Sequence, residues 1–287
     1  STSTYVNDGT NTDTAIGEGD LLCSVSGVKP ISGLKKALTK TNAETMAVNR
    51  GSGWHLETIK ATMANTLLMM IEFGTLNSQT ALGNGVTSIT DNTSFNCSSL
   101  TGSTAALGNA SGAASETINE IGGTETTYNV NGKVSVSYRG VENPWGNIWK
   151  HIQGINIWGN GTMAGGQPYI ADGLSDFGES KHTGNYKAVG FTLPNASGYI
   201  NAFGYGKTEY DWLLMPSEIG GTSALPVGDY TYITPNLNGY RIALLGGRWY
   251  GGGRAGASCW SCVYGVDARV RIVGGRLLYV PTAVIPE

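Results

Sequence analysis

Charge is scarce in this chain. Asp, Glu, Lys and Arg make up 14% of its 287 residues, against about 25% in ordinary soluble domains. The formal net charge is −3. With no basic excess to neutralise phosphates, a general nucleic-acid binder is not expected. Histidine is scarcer still: His55, His151 and His182 lie far apart, with no HExxH-like pair, which argues against a histidine-built zinc site. Four cysteines, Cys23, Cys97, Cys259 and Cys262, are too few for a disulfide framework in a chain this long. Long apolar runs are missing too. The longest, Thr66 to Phe73, contains Glu72 and falls far short of the ~20 residues of a membrane span. The first residues are rich in Ser, Thr and Asn, with neither a basic n-region nor an apolar h-region, so no signal peptide is expected.

What is present is glycine, 43 residues, and a hydrophobic fraction of 40%. The first predicts much tight, irregular backbone; the second excludes a disordered chain. Residues 1–33 read as a polar N-terminal segment leading into an edge strand over Asp20–Val28. Thr41 followed by Glu44 predicts a capping box opening a helix over Asn42–Asn49, stopped at Gly51-Ser52-Gly53. Leu56, Ile59, Met63, Leu67, Met70 and Ile71 fall at helical spacing and predict a second helix over His55–Phe73, ended by Gly74. Its methionines read as core filler. Residues 76–126 turn small and polar, without periodicity, and read as a loop-rich insertion. Sequons such as Asn92-Thr93-Ser94 there are ordinary for such a composition. From Thr127 the pattern becomes strands and turns: Tyr128–Val130 and Val134–Tyr138 around an Asn131-Gly132 turn, then Lys187–Leu193, Tyr230–Ile233, Arg241–Leu245 and Arg276–Val280. Two helices followed by many short antiparallel strands make an α+β fold.

Three short elements then carry a resemblance. Pro144-Trp145-Gly146-Asn147-Ile148-Trp149, Leu245-Gly246-Gly247-Arg248-Trp249 and Val273-Gly274-Gly275-Arg276-Leu277 resemble the G-N-V-W, R-G-G-S-W and I-G-F-R elements of C-type lectin folds of the formylglycine-generating-enzyme type. The resemblance spans residues 34–287 and strengthens from Val141 onward. The last forty residues are similar to the variable region of proteins diversified by retroelements. In those proteins a reverse transcriptase rewrites the adenines of a template rich in Asn codons. The invariant frame would be Gly246, Gly247, Trp249, Gly252, Ala255, Gly256, Trp260, Cys262, Val266, Asp267, Arg269, Arg271, Gly274, Gly275 and Arg276. The variable, ligand-binding slots within 246–276 would be Arg248, Tyr250, Gly251, Arg254, Cys259, Ser261, Val263, Tyr264, Ala268, Val270 and Ile272. An Asn codon rewritten at its adenines cannot yield Lys, Glu, Gln, Met or Trp, and no slot holds one. Ala47 to Val86 also looks like segments of phage tail or prophage proteins.

The resemblance implies a binding protein rather than an enzyme. It implies a phage or prophage tail subunit, in the virion or on a cell surface, that recognises a host receptor, protein or glycan. Its further partners would be other tail subunits and, by analogy, two more copies of itself. Trp249 and Trp260 would anchor the loop by burial. Asp267, Arg269 and Arg271 would pin it through ion pairs. Along Ala268-Arg269-Val270-Arg271-Ile272 the frame residues would pack and the slots be displayed, as in a strand. Tyr and Arg among the slots suit a binding surface. Glu142-Asn143-Pro144 is not the Glu-Pro-Asn sugar motif, and no Asp-rich loop for calcium is present, so neither metal nor cofactor is expected. Two alternatives stand beside this reading: an oxidase of the formylglycine-generating type working through Cys259 and Cys262, and a structural virion subunit without a ligand.

Overall fold

The computed structural model describes residues 16–17, 19–33, 38–90, 97–119, 123–125 and 131–281. The expected strand Tyr128–Val130 and the sequon at Asn92 lie outside them. The fold is α+β, with few helices and most strands in one sheet curled into a half-barrel. Helix α1 is Lys40–Val48, strand β1 Trp54–Leu56, helix α2 Ile59–Phe73 and helix α3 Ser78–Leu82. Next come β2 (Gly112–Ala113), β3 (Thr117–Asn119), β4 (Gly123–Glu125), β5 (Val136–Tyr138) and β6 (Val141–Glu142). Then follow β7 (Trp149–Asn160), β8 (Gln167–Ile170), β9 (Lys187–Ala188), β10 (Gly198–Phe203), β11 (Pro216–Ile219) and β12 (Tyr230–Ile233). The last are β13 (Asn238–Leu245), β14 (Trp260–Cys262), β15 (Val273–Gly274) and β16 (Leu277–Tyr279). The main sheet runs β11-β10-β12-β14-β13-β7-β8-β9, with β15 pairing β7. Strands β2, β5 and β6 form a small sheet, and β3 pairs with β4. No helix among the described residues is long and apolar enough to cross a membrane.

Both long helices form close to where their sequence places them, with corrected starts. The cap of α1 is Thr39, whose hydroxyl accepts from Asn42 N–H at 3.2 Å. Glu44 does not close a capping box: its carboxylate accepts from Leu56 N–H at 2.8 Å and pairs with His55 Nδ1 at 2.9 Å. His55 and Leu56 belong not to the second helix but to β1, where they pair with Leu278 and Leu277 of β16. Thr58 caps α2, its Oγ1 accepting from Ala61 N–H, and Gly74 ends the helix at φ +61°. The buried stripe of α2 is Ile59, Thr62, Met63, Thr66, Met69 and Met70; Ile71 is 77% exposed.

No strand forms over Asp20–Val28. The segment turns at Gly27 (φ +76°) and docks on α1 through Leu22 N–H to Met46 O (2.9 Å), so it reaches no sheet edge. Of Lys187–Leu193 only Lys187–Ala188 pairs, with β8. The 76–126 stretch holds α3, capped by Asn77, whose side-chain oxygen accepts from Thr80 N–H. A five-residue helix is too short to show a period.

The two faces of the sheet carry different cores. One packs Ile155, Ile157, Ile170, Leu245 and Trp260 against Ile59 and Met63 of α2. The other packs Trp149, Ile242, Leu244 and Val273 beneath Trp249, Cys259 and Ile272. The chain on either side of β14, residues 246–259 and 263–272, covers that second face together with Val86, Ile89 and Cys97.

Candidate ligand-binding surface

The three elements behind the resemblance meet in space. Gly146 N–H donates to Gly246 O (2.9 Å), Trp249 N–H to Asn147 O (2.8 Å) and Trp149 N–H to Ile272 O (2.8 Å). Val273 of β15 pairs with Trp149 of β7 in parallel. The glycines at the junction are required by space. A Cβ on Gly247 (φ +88°) would sit 2.6 Å from the Cβ of Ala255, and one on Gly274 would sit 2.5 Å from Ile31 O. A Cβ on Gly256 would fall 1.9 Å from an oxygen of Asp229. Trp145, Trp149, Trp249 and Trp260 are all fully buried, supplying the apolar area that irregular backbone cannot.

Asp229 has no counterpart in the sequence reading. It sits just before β12, fully buried, with Oδ2 accepting from Ser258 N–H at 2.7 Å and Oδ1 without a partner. Burial pushes its carboxyl well above the ordinary carboxylate range, and the Ser258 bond offsets only part of that. It bonds the loop from behind at the point where Gly256 leaves room for it.

The slots divide into two sets. Arg248, Tyr250, Gly251, Arg254, Val263 and Tyr264 are exposed or half-buried. Cys259, Ser261 and Ile272 are buried, at 1%, 2% and 6% exposure. Ser261 lies in the sheet, paired with Leu244 and Tyr232, and Cys259 and Ile272 fill the core above Trp149. Ala268 and Val270 are half-buried and pack on that same core. The alternation along 268–272 therefore holds with its sense reversed: Ala268, Val270 and Ile272 turn inward, whereas Arg269 is exposed. Asp267 is exposed as well, so it does not anchor the loop by burial. Arg271 lies half-buried with its guanidinium 5.4 Å from the Trp249 ring centre. The segment is not a strand; Ile272 O accepts from Trp149 N–H of β7, and just upstream Tyr264 O accepts from Ile242 N–H of β13. Apolar side chains over an apolar sheet face choose the inward phase for the same reason any core forms.

The displayed set joins three tyrosines that the sequence reading did not include. The Arg248 guanidinium lies 4.2 Å from the Tyr250 ring centre and 5.9 Å from that of Tyr232. The Arg254 guanidinium lies 5.0 Å from the Tyr230 ring centre and interacts electrostatically with Tyr232. Tyr230 packs on Tyr232 (4.8 Å) and edge-on to Tyr199 (5.2 Å), while Trp149 closes the ladder from below at 5.8 Å from Tyr232. The result is one surface of Tyr199, Tyr230, Tyr232 and Tyr250 carrying two arginines stacked on rings. Tyr199 comes from β10 and Tyr230 and Tyr232 from β12, so only the sheet order could bring them to the loop.

The chain matches no protein-family model and no curated protein. Function must therefore be argued from the site itself. The two cysteines of the C-W-S-C run are free and buried. Burial pushes the Cys259 thiol well above its ordinary range and Cys262 up to about 12, the opposite of an activated nucleophile. The histidines stay apart: His55 pairs with Glu44, the His151 ring nitrogen Nε2 faces Leu38 O, and His182 stacks on Trp158. Among the described residues no group of three His, Cys, Asp or Glu side chains converges as a metal site would.

Proposed function

We propose that this chain is a non-enzymatic binding protein with a C-type-lectin-like fold, a host-recognition subunit of phage or prophage tail type. Its contact surface is the tyrosine–arginine patch at Arg248, Tyr250 and Arg254, extended by Tyr199, Tyr230 and Tyr232. The observation that carries the reading is this patch: aromatic rings and stacked guanidinium groups, held by buried tryptophans, on a molecule otherwise poor in charge. Tyr and Arg are the side chains most often found at the energetic centre of interfaces. Their rings are rigid and amphipathic, so little entropy is lost when a partner docks. The frame-and-slot spacing of 246–276 supports retroelement diversification, with the slots that line the patch as the ones able to change affinity. An oxidase working through Cys259 and Cys262 is not favoured, because both thiols are enclosed and held protonated.

The test is binding of the purified chain to cells of its host. Arg254→Ala and Tyr250→Ala should each weaken adsorption at least tenfold, while Arg269→Ala, exposed but away from the rings, leaves it unchanged. Equal loss from all three, or none, sinks the reading. Sequencing the 3′ end of the gene across a host population tests the diversification: changes confined to the named slots support it, and a uniform sequence counts against it.

A further inference from the structure

A buried cation among the described residues lies elsewhere. Lys150, in β7, is only 6% exposed, yet its Nζ has no hydrogen-bond partner. A buried ammonium without a partner is costly. Strand pairing places it there: Lys150 is opposite Leu245 of β13 and Gly274 of β15, which turns its side chain away from the ligand-binding surface. Lys150 lines two spaces. The inner one is a cavity of about 30 Å³ beside Glu57, Thr66, Met69, Tyr138 and Arg276. The outer one is a groove of about 470 Å³ that Lys150 shares with Ile31, Glu142, Asn143, Arg276 and Leu277.

The charged and titratable groups around it do not quench it. The Arg276 guanidinium is turned to the backbone, donating to Glu142 O (2.6 Å) and Asn143 O (3.2 Å), and its Nε lies 3.3 Å from Glu57 Oε2. The Glu142 carboxylate is engaged by the N–H groups of Gly102 and Thr104. Tyr138 donates to Glu72. The thiol of Cys259 is held protonated. Burial first, then the nearby Arg276 charge, lower the Lys150 amine to about 7 against the opposing pull of Glu57. A lysine in that state is the one kind that serves as a nucleophile at neutral pH.

We propose that Lys150 is a carbonyl-capture site, whose amine condenses with a small aldehyde or ketone entering through the groove. The Nζ lone pair adds to the carbonyl carbon and the C=O π pair moves to oxygen. The two N–H protons leave with that oxygen as one water, and a C=N bond remains. No oxidant or reductant takes part. Gly246 leaves room for the amine: a Cβ there would lie 2.7 Å from Nζ.

The test treats the folded full-length chain briefly with propanal and cyanoborohydride, which reduces any imine to a stable alkyl amine, and maps the product by mass spectrometry. At pH 7 the label on Lys150 should exceed that on Lys60, an exposed lysine in the same sample, at least tenfold. Its yield should rise with pH with a midpoint near 7, and the yield on Lys60 in the same sample is the reference. Lys150→Arg should remove this label alone, and Gly246→Ala should reduce it with Lys60 unchanged. Label on Lys60 without label on Lys150, or label on Lys150 only after thermal unfolding, overturns the proposal. The Lys60 comparison is internal to the native chain, so a variant that fails to fold does not blunt it.

Discussion

Two stretches of the loop look alike in sequence and behave oppositely in the fold. Residues 248–254 and 263–272 are both glycine-punctuated or small-residue segments in which Arg and Tyr alternate with apolar or small neighbours. The first projects Arg248, Tyr250 and Arg254 over a ladder of rings. The second folds down, and Ala268, Val270 and Ile272 become part of the core over Trp149 and Leu244. The difference lies underneath them. The first stretch sits beside the tyrosines of β10 and β12, which already cover the sheet; the second crosses apolar sheet and joins Val86, Ile89 and Cys97 in covering it. A period of two tells which residues share a side, and only the surface below tells which side is in.

The largest effect that would break this comparison is loss of the shared anchor. Trp249, in the first stretch, is fully buried and packs in the same core as the second. Trp249→Ala should cost about 3–5 kcal/mol and lower the midpoint of denaturant unfolding accordingly. If it costs no more than a surface change, the loop does not depend on this frame residue. Next comes the phase of the second stretch. Ile272→Ala should cost about 2–4 kcal/mol, a cavity effect, whereas Arg269→Ala should stay within about 0.5 kcal/mol. The reverse ranking would restore the outward reading of the slots. Tyr264, half-buried against the same core, falls between these limits, so its replacement by Ala is felt in stability as well as in binding.

The same physics sets what was legible in the sequence. Helix α2 was readable because one of its sides is buried and the other wet. Strand β7, the longest in the sheet, was not, because its burial is nearly continuous from Trp149 to Ile157. A strand covered on both faces has no alternation to find. Local pairing was also invisible: β1 claims His55 and Leu56 through partners more than 220 positions later in the chain. At the site, the tryptophans and glycines that build the loop were legible from their spacing. Tyr199, Tyr230 and Tyr232 were not, since their place beside Arg248 and Arg254 follows from the order β10-β12-β14-β13 and from no local pattern.

Asp229 sharpens the comparison with an effect of opposite sign. Its folded-state value is raised, so above the ordinary carboxylate value the folded chain gives up this proton less readily than the unfolded chain does. The ionisation penalty of its burial is therefore absent below the ordinary value of 3.8, and it grows as pH rises from there toward the raised folded value. Asp229→Asn retains an acceptor for Ser258 N–H and removes the ionisation. The variant should be more stable than the parent at pH 7, by a margin that shrinks to zero below the ordinary carboxylate value. A margin independent of pH would mean that packing against Gly256, and not charge, decides the matter.

At Arg254 a small expected change in stability goes with a large proposed role in binding. Arg254 is exposed, and its stabilising contacts are a ring face and a phenol at the surface. Such contacts contribute about 0.5–1 kcal/mol at most when solvated. Arg254→Ala should thus leave the melting temperature almost where it was, while Arg254→Lys, which keeps the charge but loses the planar stacking group, separates two modes of recognition. If the Lys variant retains host-cell adsorption, the partner reads charge, as an acidic surface would. If it loses adsorption as fully as the Ala variant, the partner reads the stacked plane together with Tyr230. In either case stability and binding part company at this residue, which is the behaviour required of a displayed slot and denied to Ile272.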